Sequence, residues 1–221
     1  MISEIFSDPN LVVVNKPSGI SLLADRSGDT DLWTRLKSRY GKLYMLHRLD
    51  KGTSGVLAIA RNQAIQRTLT AAFAQRQVDK HYLAVVAGQL FPGQTYTIDL
   101  PLCRGRKSRY RVAGLRDNIA LHGTTYAVLP DREGLQSITR MRVMDCHETA
   151  CVVALKPLTG RTHQLRVHLS WIGAPILGDS LYGPKDNAYS ATRLMLHCHK
   201  LILPGYAAFV APPPAEFSAW A

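Results

Sequence analysis

No apolar run in this chain approaches the roughly 18 residues that a membrane-spanning helix needs. The first residues, Met1-Ile2-Ser3-Glu4-Ile5, lack the basic-then-apolar order of a secretory leader. A cytoplasmic location is expected. Cysteine is scarce: residues 103, 146, 151 and 198 only, with no Cys-x-x-Cys pair among them. This spacing argues against a zinc ribbon and a dithiol redox motif, and predicts free, mostly buried thiols in a reducing compartment. No G-x-x-x-x-G-K-[ST] segment is present, which excludes a P-loop. The H-x-E and P-C-x-x-C pair of the zinc deaminases is also missing. Gly52-Thr53-Ser54-Gly55 is one residue short of the nucleophile elbow of hydrolases and precedes a strand, not a helix. His147-Glu148-Thr149-Ala150-Cys151 has cysteine where a zincin helix has its second histidine. His163 and His168 fall on different faces of a helix, and His197 and His199 share a strand face without a third ligand. No metal and no cofactor are expected. Repeats, low-complexity tracts and Gly/Ser linkers are lacking, so residues 1–221 read as a single domain.

Acidic residues are few. Sixteen Asp and Glu face 27 Lys and Arg, a net charge of +11, which points to a polyanionic partner. Much of the excess is local. Arg104, Arg106, Lys107, Arg109, Arg111 and Arg116 put six cations into 13 residues with no acid between them, and Tyr110 lies inside the run. A solvated basic loop would have the same composition. The whole-chain charge favours nucleic-acid contact.

Hydrophobic residues make up 46% of the 221, enough for a sizeable core. Leu11 to Val14 reads as a strand entering the turn Asn15-Lys16-Pro17-Ser18-Gly19. Asp31 to Tyr40 carries Trp33, Leu36 and Tyr40 at helical spacing before a stop at Gly41. Asn62 can cap a helix facing inward through Ile65, Leu69, Ala72 and Phe73. Strands are expected over 55–60, 82–87, 95–100, 124–129, 139–144 and 151–156, with a basic loop or ribbon over 101–118. Thr162 can cap a helix that buries Leu165, Leu169 and Ile172 and ends at Gly173. A half-buried strand runs from Leu194 to His199. Strands outnumber helices and alternate with them irregularly. The fold class is α+β, with a mixed, largely antiparallel central sheet flanked by helices and loops.

Two polar segments carry the chemistry. His47-Arg48-Leu49-Asp50-Lys51-Gly52-Thr53-Ser54-Gly55 sets one carboxylate among His47, Arg48 and Lys51 at a glycine turn. Asp-Lys-Gly is ordinary turn chemistry, but the surrounding positive charge exceeds what a turn requires and favours the ionised carboxylate. Thr159-Gly160-Arg161-Thr162-His163-Gln164-Leu165-Arg166-Val167-His168 puts Arg166 in the first turn of a helix, opposite the apolar stripe. It reads as an exposed helix arginine or as a cation presented to an anion. An arginine can hold a carboxylate in one geometry.

From about residue 8 to residue 203 the chain resembles the RluA family of RNA pseudouridine synthases. Val14-Asn15-Lys16-Pro17-Ser18-Gly19 is similar to the family's first motif, and His47-Arg48-Leu49-Asp50 with Thr53-Ser54-Gly55 to its catalytic motif. Lys80-His81-Tyr82-Leu83-Ala84-Val85-Val86 resembles the motif of the active-site tyrosine, and residues 159–168 that of the arginine paired with the aspartate. Ile176-Leu177-Gly178-Asp179 with Leu181-Tyr182-Gly183, and Arg193 to His197, also match. The resemblance implies the pseudouridine synthase fold and isomerisation of a specific uridine to pseudouridine in tRNA or ribosomal RNA. Asp50 would start the reaction as nucleophile or base, Tyr82 would lie against the uracil, and Arg166 would orient Asp50. Arg48 would fill the gap left by the flipped nucleotide, whose extrusion the shielded glycosidic bond requires. Lys51, Lys80, Arg161 and His163, with Arg104, Arg106, Lys107 and Arg109, are the expected RNA contacts. The reaction breaks one N–C bond and makes one C–C bond without redox change, so it implies no cofactor.

The first motif starts near residue 11, so no S4-like RNA-binding module is expected before it. RNA choice would then fall to the catalytic domain, through residues 104–116. A departure from the family pattern, Leu121-His122-Gly123-Thr124-Thr125-Tyr126, follows that run and bears on RNA alignment, not on the chemistry. Two other readings compete. A catalytically silent RNA-binding protein on the same scaffold has no use for a carboxylate beside phosphate. A small-molecule hydrolase on another fold does not need the charge. A monomer acting on structured RNA, with no membrane partner, is the expectation.

Overall fold

A computed structural model of the chain describes residues 2–24, 31–106, 109–183 and 191–220. The chain folds into two compact units. One comprises residues 1–80 and 197–213, the other 81–196 and 214–221.

The first unit is built on two strands that are mostly apolar and buried along nearly their whole length. β2 (Leu11–Lys16) and β4 (Ser54–Ala60) are buried on both faces, apart from partly exposed Asn15. A strand covered on both sides reads as a continuous apolar run, which is why Leu11-Val12-Val13-Val14 was legible. β2 pairs antiparallel with β4, and β1 (Ser3–Ser7) adds to the outer edge of β2. β3 (Tyr44–Met45) pairs with β4, as does β13 (Leu196–Ile202), which runs parallel to it; β14 (Phe209–Val210) pairs with β13. Helix α1 (Leu32–Tyr40) starts at Asp31, whose carboxylate accepts the Thr34 N–H at 2.7 Å. It buries Leu32 and Leu36, so the inward face is turned one residue from the expected Trp33/Leu36/Tyr40 line. Helix α2 (Gln63–Ala74) is capped as expected, Asn62 accepting the Ile65 N–H at 2.9 Å, and buries Leu69 and Ala72.

The second unit carries a sheet in the order β5 (Asp79–Ala87), β12 (Ala150–Pro157), β11 (Ile138–His147), β6 (Thr95–Asp99), β10 (Thr125–Ala127), β9 (Ala120–His122). β6 and β10 run parallel and the other pairs of this sheet antiparallel. Its buried residues, among them Val85, Ile98, Met141, Val153 and Leu155, form one core with Leu165, Val167 and Leu169 of helix α3 (Gln164–Trp171). The basic run forms a hairpin of two short strands, β7 (Leu102–Arg104) and β8 (Tyr110–Val112).

Three expectations are corrected. Cys146 and Cys151 are joined in a disulfide, while Cys103 and Cys198 are free. The two bonded residues lie directly opposite each other at the end of the β11–β12 hairpin, with Cα atoms 4.0 Å apart. Cross-strand register, not sequence spacing, makes the pair. Thr162 does not cap α3. The cap position falls to His163 in the left-handed region at φ 57°, without a side-chain cap bond. The strand expected to be half buried is buried on both faces from Leu194 to Cys198.

The β4–β13 contact depends on a single missing side chain. Gly55 sits opposite Cys198 at φ 112°, and a Cβ there would collide with the Cys198 backbone. Gly55→Ala combines a disfavoured backbone conformation with overpacking, and is expected to cost about 2–3 kcal/mol or more. Urea unfolding measures this; an unchanged midpoint would refute the close approach.

Candidate active site

The Asp50 turn is fixed by its backbone. The Thr53 N–H closes the turn onto the Asp50 carbonyl at 3.1 Å, and the Gly19 N–H donates to the Lys51 carbonyl at 2.9 Å. The Ser18 hydroxyl donates to the Gly52 carbonyl at 2.6 Å. Lys16, with 0% exposure, drives its ammonium into the loop and donates to the carbonyls of Pro17, Lys51 and Thr53 at 2.9, 3.1 and 2.9 Å. Four successive carbonyls, from Asp50 to Thr53, thus accept named donors. On this frame Leu49 is buried, Asp50 is half-buried, and Arg48 and Lys51 are exposed.

The neighbouring histidines serve the fold. His47 stacks on Phe73 with ring centroids 5.0 Å apart, and its Nε2 accepts the Ala58 N–H at 3.1 Å. Burial, reinforced by the charge of Lys80, pushes its pKa down to about 3. His47 is therefore neutral and adds no positive charge around Asp50, contrary to the expectation from its position. Lys80 is itself half-buried, and burial lowers its pKa. Ser54 donates to Nδ1 of fully buried His197 at 2.8 Å, and the Nε2–H of His197 faces the Ala211 carbonyl at 3.1 Å.

In the second unit Tyr82 lies on β5 opposite Leu155, half-buried and packed against the core. Helix α3 is buried on nearly all sides, polar residues included. Gln164 bridges the Thr159 hydroxyl, the Arg161 N–H, the Ile138 carbonyl and the Thr139 hydroxyl at 2.7–3.0 Å. His168 donates from Nε2 to the Leu100 carbonyl and accepts from Thr139 at Nδ1, both at 3.0 Å. Arg166 is only 7% exposed, not a surface arginine. Its Nε and Nη2 fork onto the Asp179 carboxylate at 2.8 Å each, and its guanidinium lies 5.2 Å from the Tyr182 ring centroid. The Tyr182 hydroxyl accepts the Tyr110 N–H at 2.8 Å and bonds His163 Nδ1 at 2.9 Å. His163, an expected RNA contact, is thereby tied between Tyr182 and the edge of the Tyr110 ring.

Arg104, Arg106 and Arg109 are exposed on the β7–β8 hairpin, while Lys107 lies outside the described residues. The Arg161 Nε donates to the Gln136 carbonyl at 3.2 Å. Arg111 and Arg116 both stand over Trp171, at 5.5 and 5.1 Å. The first unit thus brings Arg48, Asp50 and Lys51 onto one turn. The second gathers the hairpin, His163 and Arg166 around Tyr182. Sequence reasoning assigned no role to Asp179, although it lies in a matched motif, and none to Lys16 as a donor to the Asp50 loop. Among the described residues no His, Cys, Asp or Glu cluster could hold a metal ion, and no helix is long and apolar enough to cross a membrane.

A locked, glycine-bounded aspartate turn and a buried arginine on a short polar helix, in a basic α+β chain, define a class. The family described as RNA pseudouridylate synthase matches residues 10–171, and the chain belongs to it: this is an RNA pseudouridine synthase, an isomerase whose partner is RNA. It is 33% identical over 202 residues to the dual-specificity RNA pseudouridine synthase RluA of Vibrio cholerae, spanning 90% of this chain and 76% of that protein. It is 33% identical over 218 residues to the protein of that name from Escherichia coli K12, spanning 96% and 93%. Among solved structures, human RNA pseudouridylate synthase domain containing 4 superposes with a TM-score of 0.78 at 26% identity, covering 98% of this chain and 90% of that one.

The buried histidines make the fold acid-sensitive. Burial lowers the His168 pKa to about 4, against about 6.5 in an unfolded chain. The unfolded state therefore binds a proton in a range where the native state does not. Stability is full above pH ~6.5 and falls as the pH drops toward about 4, by about 3 kcal/mol for His168 alone. His47 acts in the same direction. His168→Gln is expected to flatten the difference between urea midpoints at about pH 7.5 and about pH 4.5; a difference equal to the wild type's would refute the assignment.

Proposed function

We propose that this enzyme modifies a uridine in tRNA or ribosomal RNA, with Asp50, Tyr82 and Arg166 carrying the chemistry in a single catalytic domain. The observation that supports this most directly is the Asp50 turn. Its carbonyls are tied to Lys16, Ser18, Gly19 and Thr53, so the backbone leaves the carboxylate one narrow range of positions. Pre-organisation of this kind is what a reacting group needs.

The target uridine is flipped out of its stack, because its glycosidic bond is otherwise shielded. Arg48, exposed beside Asp50, fills the vacated space. Asp50 starts the reaction as nucleophile or base. The N1–C1′ bond breaks, the uracil turns, a C5–C1′ bond forms, the C5 proton is lost with help from Tyr82 against the ring, and N1 takes up a proton in its place. Arg166 orients the Asp50 carboxylate. Atoms balance within one nucleotide, and no oxidant or reductant enters. The exposed Arg104, Arg106 and Arg109 contact phosphates, with Lys107 beside them in sequence. Phosphate contact offsets the few kcal/mol that extrusion costs. The tRNA and ribosomal RNA targets are supported by the dual specificity named for the RluA relatives. We place the enzyme in the cytoplasm as a monomer. A silent RNA-binding protein would have no need of so constrained a carboxylate.

Asp50→Asn keeps the shape and removes the charge. It is expected to abolish pseudouridine formation while leaving folding and RNA affinity nearly intact, and wild-type turnover in the purified variant would overturn the role of Asp50. Arg166→Lys is also expected to be damaging, because an ammonium lacks the planar fork. Carbodiimide-stop sequencing of RNA from cells with and without the gene identifies the target uridine.

Replacing Arg104, Arg106, Lys107 and Arg109 by Ser is expected to weaken RNA binding without slowing the step on saturating RNA. Each phosphate contact to single-stranded RNA contributes about −0.7 to the slope of log K against log salt, so the slope becomes shallower by roughly 3. Unchanged affinity and slope would show the run to be a solvated loop. Lost site choice at unchanged affinity would mean that Tyr110 and its neighbours read RNA shape.

A further inference from the structure

Arg166 is the third residue of α3, and its position is unfavourable on two counts. A cation in the first turn meets the positive end of the helix dipole, and burying a guanidinium is costly unless it is paired and fully hydrogen-bonded. Asp179 answers both. Its side chain has 0% exposure, and its two oxygens take Nε and Nη2 of Arg166 at 2.8 Å each. The Oδ1 atom also accepts the backbone N–H groups of Leu181 and Tyr182 at 2.9 and 3.1 Å. Burial alone would raise the carboxyl pKa, but the Arg166 bonds and charge and the two N–H donors outweigh it and hold the pKa below the usual range.

The loop that carries Asp179 has little room to move. Gly178 sits at φ 69°, where a Cβ would collide with the Arg193 carbonyl, and a Cβ on Gly183 would collide with the Asp179 carbonyl. Tyr182 packs its ring against the guanidinium, and its hydroxyl is fastened to Tyr110 and His163. Edge and face of the guanidinium are both set by neighbours in the same unit.

Stability is a poor reason for such a pair, since apolar side chains of similar volume often replace a buried ion pair without loss. What a fork-on-fork pair supplies is direction. With the Nε/Nη2 edge committed to Asp179, the Nη1/Nη2 edge can point only one way.

We propose that Asp179 is a positioning residue of the isomerisation: it grips one edge of Arg166 so that the other is aimed at the reacting groups. The proposal rests on the reading that Arg166 serves the reaction.

The test uses the full-length enzyme in excess over RNA labelled with tritium at uracil C5, prepared from cells lacking the gene. Release of tritium gives the single-turnover rate, filter binding gives affinity, and thermal melting reports the fold. Asp179→Asn is the direct variant. Asp179→Glu keeps the charge and moves the fork by one methylene, so it preserves the fold if Asn does not. A displacement of about 1 Å at a positioned group can cost about 100-fold in rate. A loss of that order is expected in folded Asp179 variants, with affinity within about twofold of wild type. In an Arg166→Lys background, where no fork remains to be aimed, the Asp179 changes are expected to add less than about threefold. Wild-type rates in both Asp179 variants would overturn the proposal. So would a full multiplicative loss in the Arg166→Lys background, which a merely structural role would give. A wild-type rate for Arg166→Lys would overturn the underlying reading of Arg166 itself; a slow Arg166→Lys with fast Asp179 variants would sink only the present inference.

Discussion

The ammonium of Lys16 is the interaction on which the Asp50 loop depends. A lysine with 0% exposure is rare because its charge must be compensated away from water. Here the carbonyls of Pro17, Lys51 and Thr53 accept hydrogen bonds from the ammonium. That exchange works in both directions. The charge needs the carbonyls, and the carbonyls, pointing inward from a tight turn, need donors. Hydrogen bonds to a charged donor contribute about 1.5–3 kcal/mol each, so the loop is held more firmly than turn propensity alone would hold it. The sequence neighbours of Lys16 complete the frame through Ser18 and Gly19. The Asn15-Lys16-Pro17-Ser18-Gly19 turn is thus a bracket for the segment that bears Asp50, 34 positions further on.

The second unit follows the opposite principle. Helix α3 is only eight residues long, too short to be stable by propensity, and its first turn buries Gln164 and Arg166 beside Leu165 and Val167. It is pinned by directional bonds instead: Gln164 to four partners, His168 to Thr139 and Leu100, Arg166 to Asp179. Low exposure strengthens such bonds and makes each unsatisfied group expensive, so the helix has one acceptable setting. Leu165, Val167 and Leu169 supply burial; the polar side chains supply the register.

Much of the fold was legible in the sequence where one physical signal dominated. The buried runs of β2 and β4, the Asn62 cap, the alternation of β6 and the α+β class all follow from local patterns. The short edges did not. β1, β9 and β14 are five, three and two residues long, too short for an alternating pattern to stand out in the sequence, although each pairs with a strand next to it in chain order. The disulfide between Cys146 and Cys151 depends on cross-strand register that spacing does not encode. At the site, Asp50 and Arg166 stood out by residue type and motif. The neutrality of His47 did not, because it comes from burial beside Phe73 and an accepted backbone N–H. Asp179 was hidden for a related reason: an aspartate between glycines has the composition of an ordinary turn, and its fork onto Arg166 exists only in three dimensions.

The same distinction sorts the cations of this basic chain. Lys16, Arg166 and Arg193 are counted in the net charge of +11, yet their charged groups are directed to partners within the protein. Arg193 donates to the carbonyls of Leu194 and Leu196 at 3.1 and 3.4 Å and lies over Phe217. Arg48, Lys51, Arg104, Arg106 and Arg109 are exposed, where a cation keeps its hydration until a phosphate displaces it. Composition alone cannot separate these two sets, and only the second is placed where a phosphate could meet it in a salt-dependent contact. The buried set contributes geometry. It fixes an aspartate turn in one unit and an arginine in the other, and geometry is what a reaction confined to one nucleotide demands, since fixed placement and charge lower its barrier.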